Sequence, residues 1–216
     1  MDLIIPDIFP EGIRAFFTTK ANHGLFYKEQ PYPVYRPIQR HTSDVIILDG
    51  LERKIADGVL TDRKGIILSI ETADCVPILL CDPQIPVIGA VHAGWRGTAS
   101  GIIRNAIGKM KEAFGSEPSE ILIAIGPSIR GCCYEVDEPV KNALCSQTGS
   151  YYESRNNKYY IDLSRENLKQ ALMEGIKEEN IWLSGECTCC NPERFHSYRY
   201  HKDRAGRQGG FIVIEI

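Results

Sequence analysis

The chain has 216 residues, 43% of them hydrophobic and 25% charged, which supports one sizeable core and does not call for several domains. Lys and Arg number 25 against 28 Asp and Glu, a formal net charge of −3 with no basic block, so nucleic acid is not expected as a partner. No apolar run approaches the roughly 20 residues of a membrane span. Met1-Asp2-Leu3-Ile4 does not read as a secretory leader, so a cytoplasmic protein without a membrane partner is expected.

In chain order, the first apolar run of strand length covers residues 15–18. Residues 31–37 (Pro-Tyr-Pro-Val-Tyr-Arg-Pro) are too proline-rich for helix and read as an extended surface connection. Strand-like runs rich in Ile and Val follow at 45–48, 65–70, 76–81 and 87–92. A helix is expected from about Thr98 to Phe114, with Ile102, Ile103, Ala106, Ile107, Met110, Ala113 and Phe114 on one apolar stripe, Thr98 as N-cap and Gly115 as stop. A strand at 121–125, a short helix near 138–145, a polar loop at 150–157 and a strand at 158–162 come next. The second clear helix runs from about Ser164 to Gly175, with Leu168, Ala171 and Leu172 inward and Asp162 or Ser164 capping; a last strand covers 211–216. Many strands and few helices, without strict alternation, predict a mixed α/β (α+β) fold: a single domain over 1–216, with central mixed sheets flanked by helices. A Rossmann arrangement is disfavoured.

Chemistry concentrates in a few segments. Glu71-Thr72-Ala73-Asp74-Cys75-Val76-Pro77 sets an acid and a thiol side by side at a proline-marked corner. A free Cys is most often a small core residue, but a buried carboxylate is costly unless paired or bound to a cation. In Ala90-Val91-His92-Ala93-Gly94-Trp95-Arg96-Gly97-Thr98 a strand ends at His92 among small residues, which predicts an accessible ring. The following helix start, with Arg96, suits an anion. His41, in the polar stretch Gln39-Arg40-His41-Thr42, gains interest only in combination with Cys75 and His92. One Cys and two His form a common zinc set that leaves a position for water or substrate, where bound water ionises near pH 7. No local motif enforces the spacing of these three.

Eight cysteines without a leader are expected to be reduced thiols rather than a disulfide framework. Cys132, Cys133, Cys187, Cys189 and Cys190 form two clusters, but the paired C-x-x-C spacing of persuasive zinc sites is missing, so a second, thiolate-rich metal site is disfavoured.

Four ordered motifs resemble the laccase-domain family, also called multicopper polyphenol oxidoreductase-like, purine nucleoside phosphorylase-like or peptidoglycan-editing factor. They are Thr72-Ala73-Asp74-Cys75-Val76-Pro77; Val91-His92-Ala93-Gly94-Trp95-Arg96-Gly97-Thr98; Ile125-Gly126-Pro127 with Cys132-Cys133-Tyr134-Glu135-Val136; and Ser197-Tyr198-Arg199 with Gly206-Arg207. The resemblance implies a zinc held by His41, Cys75 and His92. It also implies phosphorolysis of adenosine, inosine, guanosine or methylthioadenosine and deamination of adenosine, with nucleoside and phosphate as small-molecule partners. Asp74 is then the candidate proton shuttle for deamination, and Arg96 with the helix start the candidate phosphate seat. Two positions depart from the family pattern. Lys20 follows Phe17-Thr18-Thr19 where an Arg is usual, and Arg40 precedes His41 where a small apolar residue is usual. Lys is a point charge without the planar fork of Arg, which alters any oxyanion contact there.

Three other readings compete. Copper suits one Cys and two His, but laccase chemistry needs several coppers and many histidines, and the chain has five. A hydrolase editing peptidoglycan precursors would use Cys75 as nucleophile and His92 as base. A non-enzymatic binding module would bury a fully four-coordinate metal with no adjoining pocket.

Overall fold

The computed structural model describes residues 2–23, 30–148 and 152–216, with the side chains of 146–148 outside that description. Within it the strands are β1 (Ile13–Phe17), β2 (Val34–Tyr35), β3 (Val45–Ile47), β4 (Gly58–Thr61), β5 (Ile67–Thr72), β6 (Val76–Asp82) and β7 (Val87–Ala93). They continue with β8 (Leu122–Ile125), β9 (Glu135–Val136), β10 (Tyr152–Arg155), β11 (Lys158–Ile161), β12 (Ile181–Leu183) and β13 (Gln208–Ile214). The helices are α1 (Trp95–Ala99), α2 (Ile102–Phe114), α3 (Glu138–Thr148), α4 (Leu163–Met173) and α5 (Tyr198–His201).

Alternation along β6 explains the layering. Val76, Ile78 and Leu80 face one way, onto Ile103, Ile107 and Met110 of α2. Leu79 and Cys81 face the other, among Phe17, Ile70 and Ile212 of a second sheet. A sheet covered on both faces has no solvent side, so β6 and β7 are buried at all seven positions and read as continuous apolar runs. The covered sheet has the order β12-β8-β6-β7-β4-β3, and the sheet packed on it β1-β13-β5-β2; a third sheet, β10-β11-β9, adds Ile161 to the core on the α2 side. Each fully buried Leu or Ile contributes about 1.5–3 kcal/mol. The expected mixed α/β fold, sheets flanked by helices, is the one observed.

Local departures have physical causes. The expected helix from Thr98 is two helices: α1 starts at Trp95 with Thr98 buried inside it, and Gly101, at φ +74°, breaks the chain before α2. Without a Cβ, glycine adopts that left-handed conformation freely. Gly115 ends α2 as expected, its N–H bonded to the Lys111 carbonyl at 3.0 Å. Asp162 caps α4 and Ala171 is buried as expected, with Leu168 packed against the core, but Glu166, Asn167 and Gln170 are buried beside them, while Leu168 and Leu172 are only half-buried. Asn167 Nδ2 donates to the Thr98 hydroxyl at 2.9 Å and Gln170 Nε2 to the Thr98 carbonyl at 3.0 Å, so a polar pin joins α4 to α1. The segments read as loops at 31–37 and 150–157 contain β2, with Tyr35 buried, and β10. Asn156 and Asn157, at φ +51° and +59°, turn β10 into β11; residues 150 and 151 lie outside the described residues.

Candidate active site and metal centre

β5 belongs to one sheet and β6 to the other, so the corner at 73–75 carries the chain between them. Asp74 occupies it at φ +89°, an uncommon conformation for a residue with a side chain. Its carboxylate is tied down on both oxygens: the Thr188 hydroxyl and the Arg199 backbone N–H each donate at 2.6 Å. Cys75 follows at the start of β6, and the antiparallel register sets Pro77 opposite His92 at the end of β7. β4 pairs on the other side of β7, so Asp57, just before β4, lies alongside His92. His41 approaches from the loop ahead of β3. Three segments remote in sequence thus meet at one end of the central sheet. The ligating atoms of His41, Cys75 and His92 all lie within 4.8 Å of one another.

Asp57, which the sequence reading did not single out, organises this meeting. It is fully buried, accepts the backbone N–H groups of Arg40, His41 and Thr42 at 3.0, 3.0 and 2.7 Å, and accepts the Thr42 hydroxyl at 2.9 Å. It also meets His92 Nδ1 at 2.7 Å, which leaves Nε2 as the nitrogen for Cys75 or a metal. Burial pushes the Asp57 carboxyl up, but these hydrogen bonds outweigh it and hold the group well below the usual carboxylate range. Burial likewise raises the Cys75 thiol; the charge of His92, with hydrogen bonds from His41 and His92, brings it down to about 6. His92 is lowered by burial and raised further by the Cys75 thiolate and Asp57, ending at about 9.

His92 is 3% exposed, contrary to the accessible ring expected from its small neighbours. The glycines admit protein instead of solvent. A Cβ at Gly94 would stand 2.9 Å from His41 Cδ2 and 3.2 Å from Cys75 Sγ, and one at Gly97 would stand 2.8 Å from the Thr42 carbonyl. The donor set fits a thiophilic divalent metal: a thiol already biased toward thiolate and two imidazoles, one oriented by a buried carboxylate.

These residues floor a cavity of about 880 Å³, which Asp74 and Arg96 also line. Trp95, Tyr134 and Tyr198 present aromatic surface to it, and Arg36, Arg40, Arg199 and Arg207 give it a cationic wall. Arg96 is exposed, its guanidinium 4.3 Å from the centre of the Trp95 ring. Lys20 stands away from the cavity and donates to the Pro192 carbonyl at 3.4 Å. The disfavoured thiolate cluster needs correcting. Cys132, Cys133, Cys187 and Cys190 bring their sulfurs within 4.8 Å of one another, because the bridge between Ser128 and Cys187 aligns the two loops. Cys187 and Cys190 are themselves a C-x-x-C pair facing the vicinal pair.

Residues 19–215 match the family model described as multi-copper polyphenol oxidoreductase laccase. Purine nucleoside phosphorylase YlmD of Bacillus subtilis (strain 168) is 37% identical over 166 residues, 75% of this chain and 60% of that protein. The chain therefore spans less than two thirds of that relative. Purine nucleoside phosphorylase of Aquifex aeolicus (strain VF5) is 38% identical over 183 residues, 84% of this chain and 83% of that one. The crystal structure of YlmD from Geobacillus stearothermophilus superposes with a TM-score of 0.88 at 27% identity, covering 95% of this chain and 93% of that one.

Proposed function

Because the chain belongs to the multi-copper polyphenol oxidoreductase laccase family, we propose that it is a purine nucleoside phosphorylase, with adenosine deamination as a second activity of the same site. One observation carries the reading: the convergence of His41, Cys75 and His92 on the floor of a cavity with aromatic and cationic walls. The relatives' names supply the substrate class. Zinc held by those three residues would act as a Lewis acid on a substrate or water oxygen.

The chain's own groups do the rest. Trp95, Tyr134 and Tyr198 offer flat apolar faces to the purine. Arg96 and the neighbouring guanidinium groups seat phosphate, whose charge they match with planar donor pairs. In phosphorolysis a phosphate oxygen attacks ribose C1′, the bond to N9 breaks, and its electron pair leaves with the purine, which takes up a proton. In deamination Asp74 is the assigned proton shuttle, taking a proton from the attacking water and passing it to the departing ammonia; its fixed backbone and two hydrogen bonds hold the carboxyl group at the cavity wall. Asp57 holds His92 in one tautomer.

The test is to incubate the purified chain with adenosine, inosine and guanosine, with and without phosphate, and follow the products chromatographically. Base release that requires phosphate is expected, with inosine formed from adenosine in either case. Base release indifferent to phosphate would overturn phosphorolysis, and Asp74→Asn with full deamination would remove its proton role.

A second reading rests on the line Asp57–His92–Cys75, which is also an orienter, base and nucleophile in order. Under it the chain is a thiol-dependent hydrolase of peptidoglycan precursors. Activity that survives exhaustive chelation but not thiol alkylation would favour it over the metal enzyme.

A further inference from the structure

Cys132 and Cys133 occupy the turn after Arg130, and Cys187 and Cys190 the turn that follows β12. All four are free thiols, and the sulfurs of Cys132 and Cys133 lie 3.5 and 3.3 Å from that of Cys190. Four sulfurs around a tetrahedral zinc at about 2.3 Å would stand about 3.8 Å apart. The observed cluster, with every sulfur within 4.8 Å of the others, brackets that value.

Backbone donors converge on one of the four sulfurs. The Arg130 backbone N–H donates to Cys187 Sγ at 3.4 Å, and the backbone N–H groups of Cys189 and Cys190 are directed at the same sulfur. Four thiolates around a divalent cation leave a net negative charge. An adjoining depression lined by Cys132 and Cys187 carries Arg130, Arg155, Arg165 and Lys169 beside Glu153, Asp162 and Glu166. Arg130 is paired to Asp162 and Arg155 to Glu153, so the lining holds one more cation than carboxylate against that charge.

The geometry points to a second metal site, a closed tetrathiolate of Cys132, Cys133, Cys187 and Cys190 that takes zinc as a structural ion. With four protein donors it leaves no position for substrate. Its role is to lock two loops that bear on the first site. Thr188, between its ligands, holds Asp74 at 2.6 Å, and Tyr134, next to Cys133, lines the cavity. Arg130 bridges to Asp162 at 2.9 Å, tying the same turn to the start of α4.

The test compares metal content in the full chain, purified under reducing conditions and loaded with zinc, for the wild type, Cys75→Ala and Cys132→Ser/Cys190→Ser. Cys75→Ala is expected to keep one tightly held zinc, and the double variant to hold one fewer than the wild type. Cobalt should give the intense visible bands of a tetrahedral tetrathiolate in the wild type and in Cys75→Ala, and lose them in the double variant. Should the double variant fold poorly, the cobalt spectrum of Cys75→Ala decides alone, since its four cysteines are intact. Absence of those bands, equal zinc in the wild type and the double variant, or a disulfide among the four thiols in cell-fresh protein would each overturn the site. The readout is metal content and colour, so its failure is distinguishable from failure of the nucleoside reading.

Discussion

Asp57 receives three backbone N–H groups, one hydroxyl and one imidazole, so a single buried carboxylate sets both the path of the His41 loop and the ring of His92. An amide in its place keeps the volume but gives up the charge and one acceptor oxygen. For Asp57→Asn we expect zinc affinity at the His41–Cys75–His92 centre to fall about 10–100-fold, measured by competition with a chromophoric chelator. Unchanged affinity would mean that Asp57 only packs. The meeting of His41, Cys75 and His92 was expected from the combination of one thiol with two imidazoles and from the family resemblance, since no local spacing enforces it. Asp57 was not, because an acid ahead of an apolar strand is commonplace. Its importance comes from the pairing of β4 with β7, which no local pattern announces.

Asp162 shows at the level of elements how one residue caps a helix and ties it to a neighbouring turn. It accepts the Arg165 N–H at 3.1 Å, the Ser164 hydroxyl at 2.5 Å and Arg130 Nε at 2.9 Å. Burial pushes its carboxyl up; the Ser164 hydroxyl and the Arg130 hydrogen bond and charge outweigh that and hold it below the ordinary value. With the folded state the more acidic, the unfolded chain takes the proton first as pH falls. The stabilisation is therefore whole above the unfolded carboxyl's pKa of about 3.9 and is lost as pH drops through the lower folded value. Asp162→Asn should cost about 1–3 kcal/mol at neutral pH. The gap in melting temperature from the wild type should hold from pH 8 to 5 and close below about pH 4; a gap independent of pH would sink this account. The cap was readable from sequence, as was Gly115. The break at Gly101 and the polar inner face of α4 were not, since a periodic apolar stripe conceals both a one-residue interruption and a buried hydrogen-bonded pin.

Across the whole molecule, the last strand described, β13, lies between β1 and β5, and the site forms where the chain steps from that sheet to the other. Most strand positions followed from apolar runs, but the short β2, β4, β9, β10 and β12 did not; strand order did not either, because it depends on which apolar faces meet across long stretches of chain. The same architecture predicts what an ion at the proposed centre would do for the fold. His41 precedes the edge strand β3, Cys75 stands between the sheets, and His92 ends a central strand, so an ion there links segments that separate on unfolding. An ion bound by the native state alone stabilises it by about 2.7 kcal/mol at one hundred times its dissociation constant. For a chain of this size each kcal/mol moves the midpoint by about 2–4 °C. Zinc should therefore raise the melting temperature of chelator-treated protein in a concentration-dependent way. The share belonging to this centre, on the order of 5–10 °C, should disappear in Cys75→Ala. An equal rise in the wild type and Cys75→Ala would locate the stabilising ion elsewhere, and His41, Cys75 and His92 would then have met without gripping one.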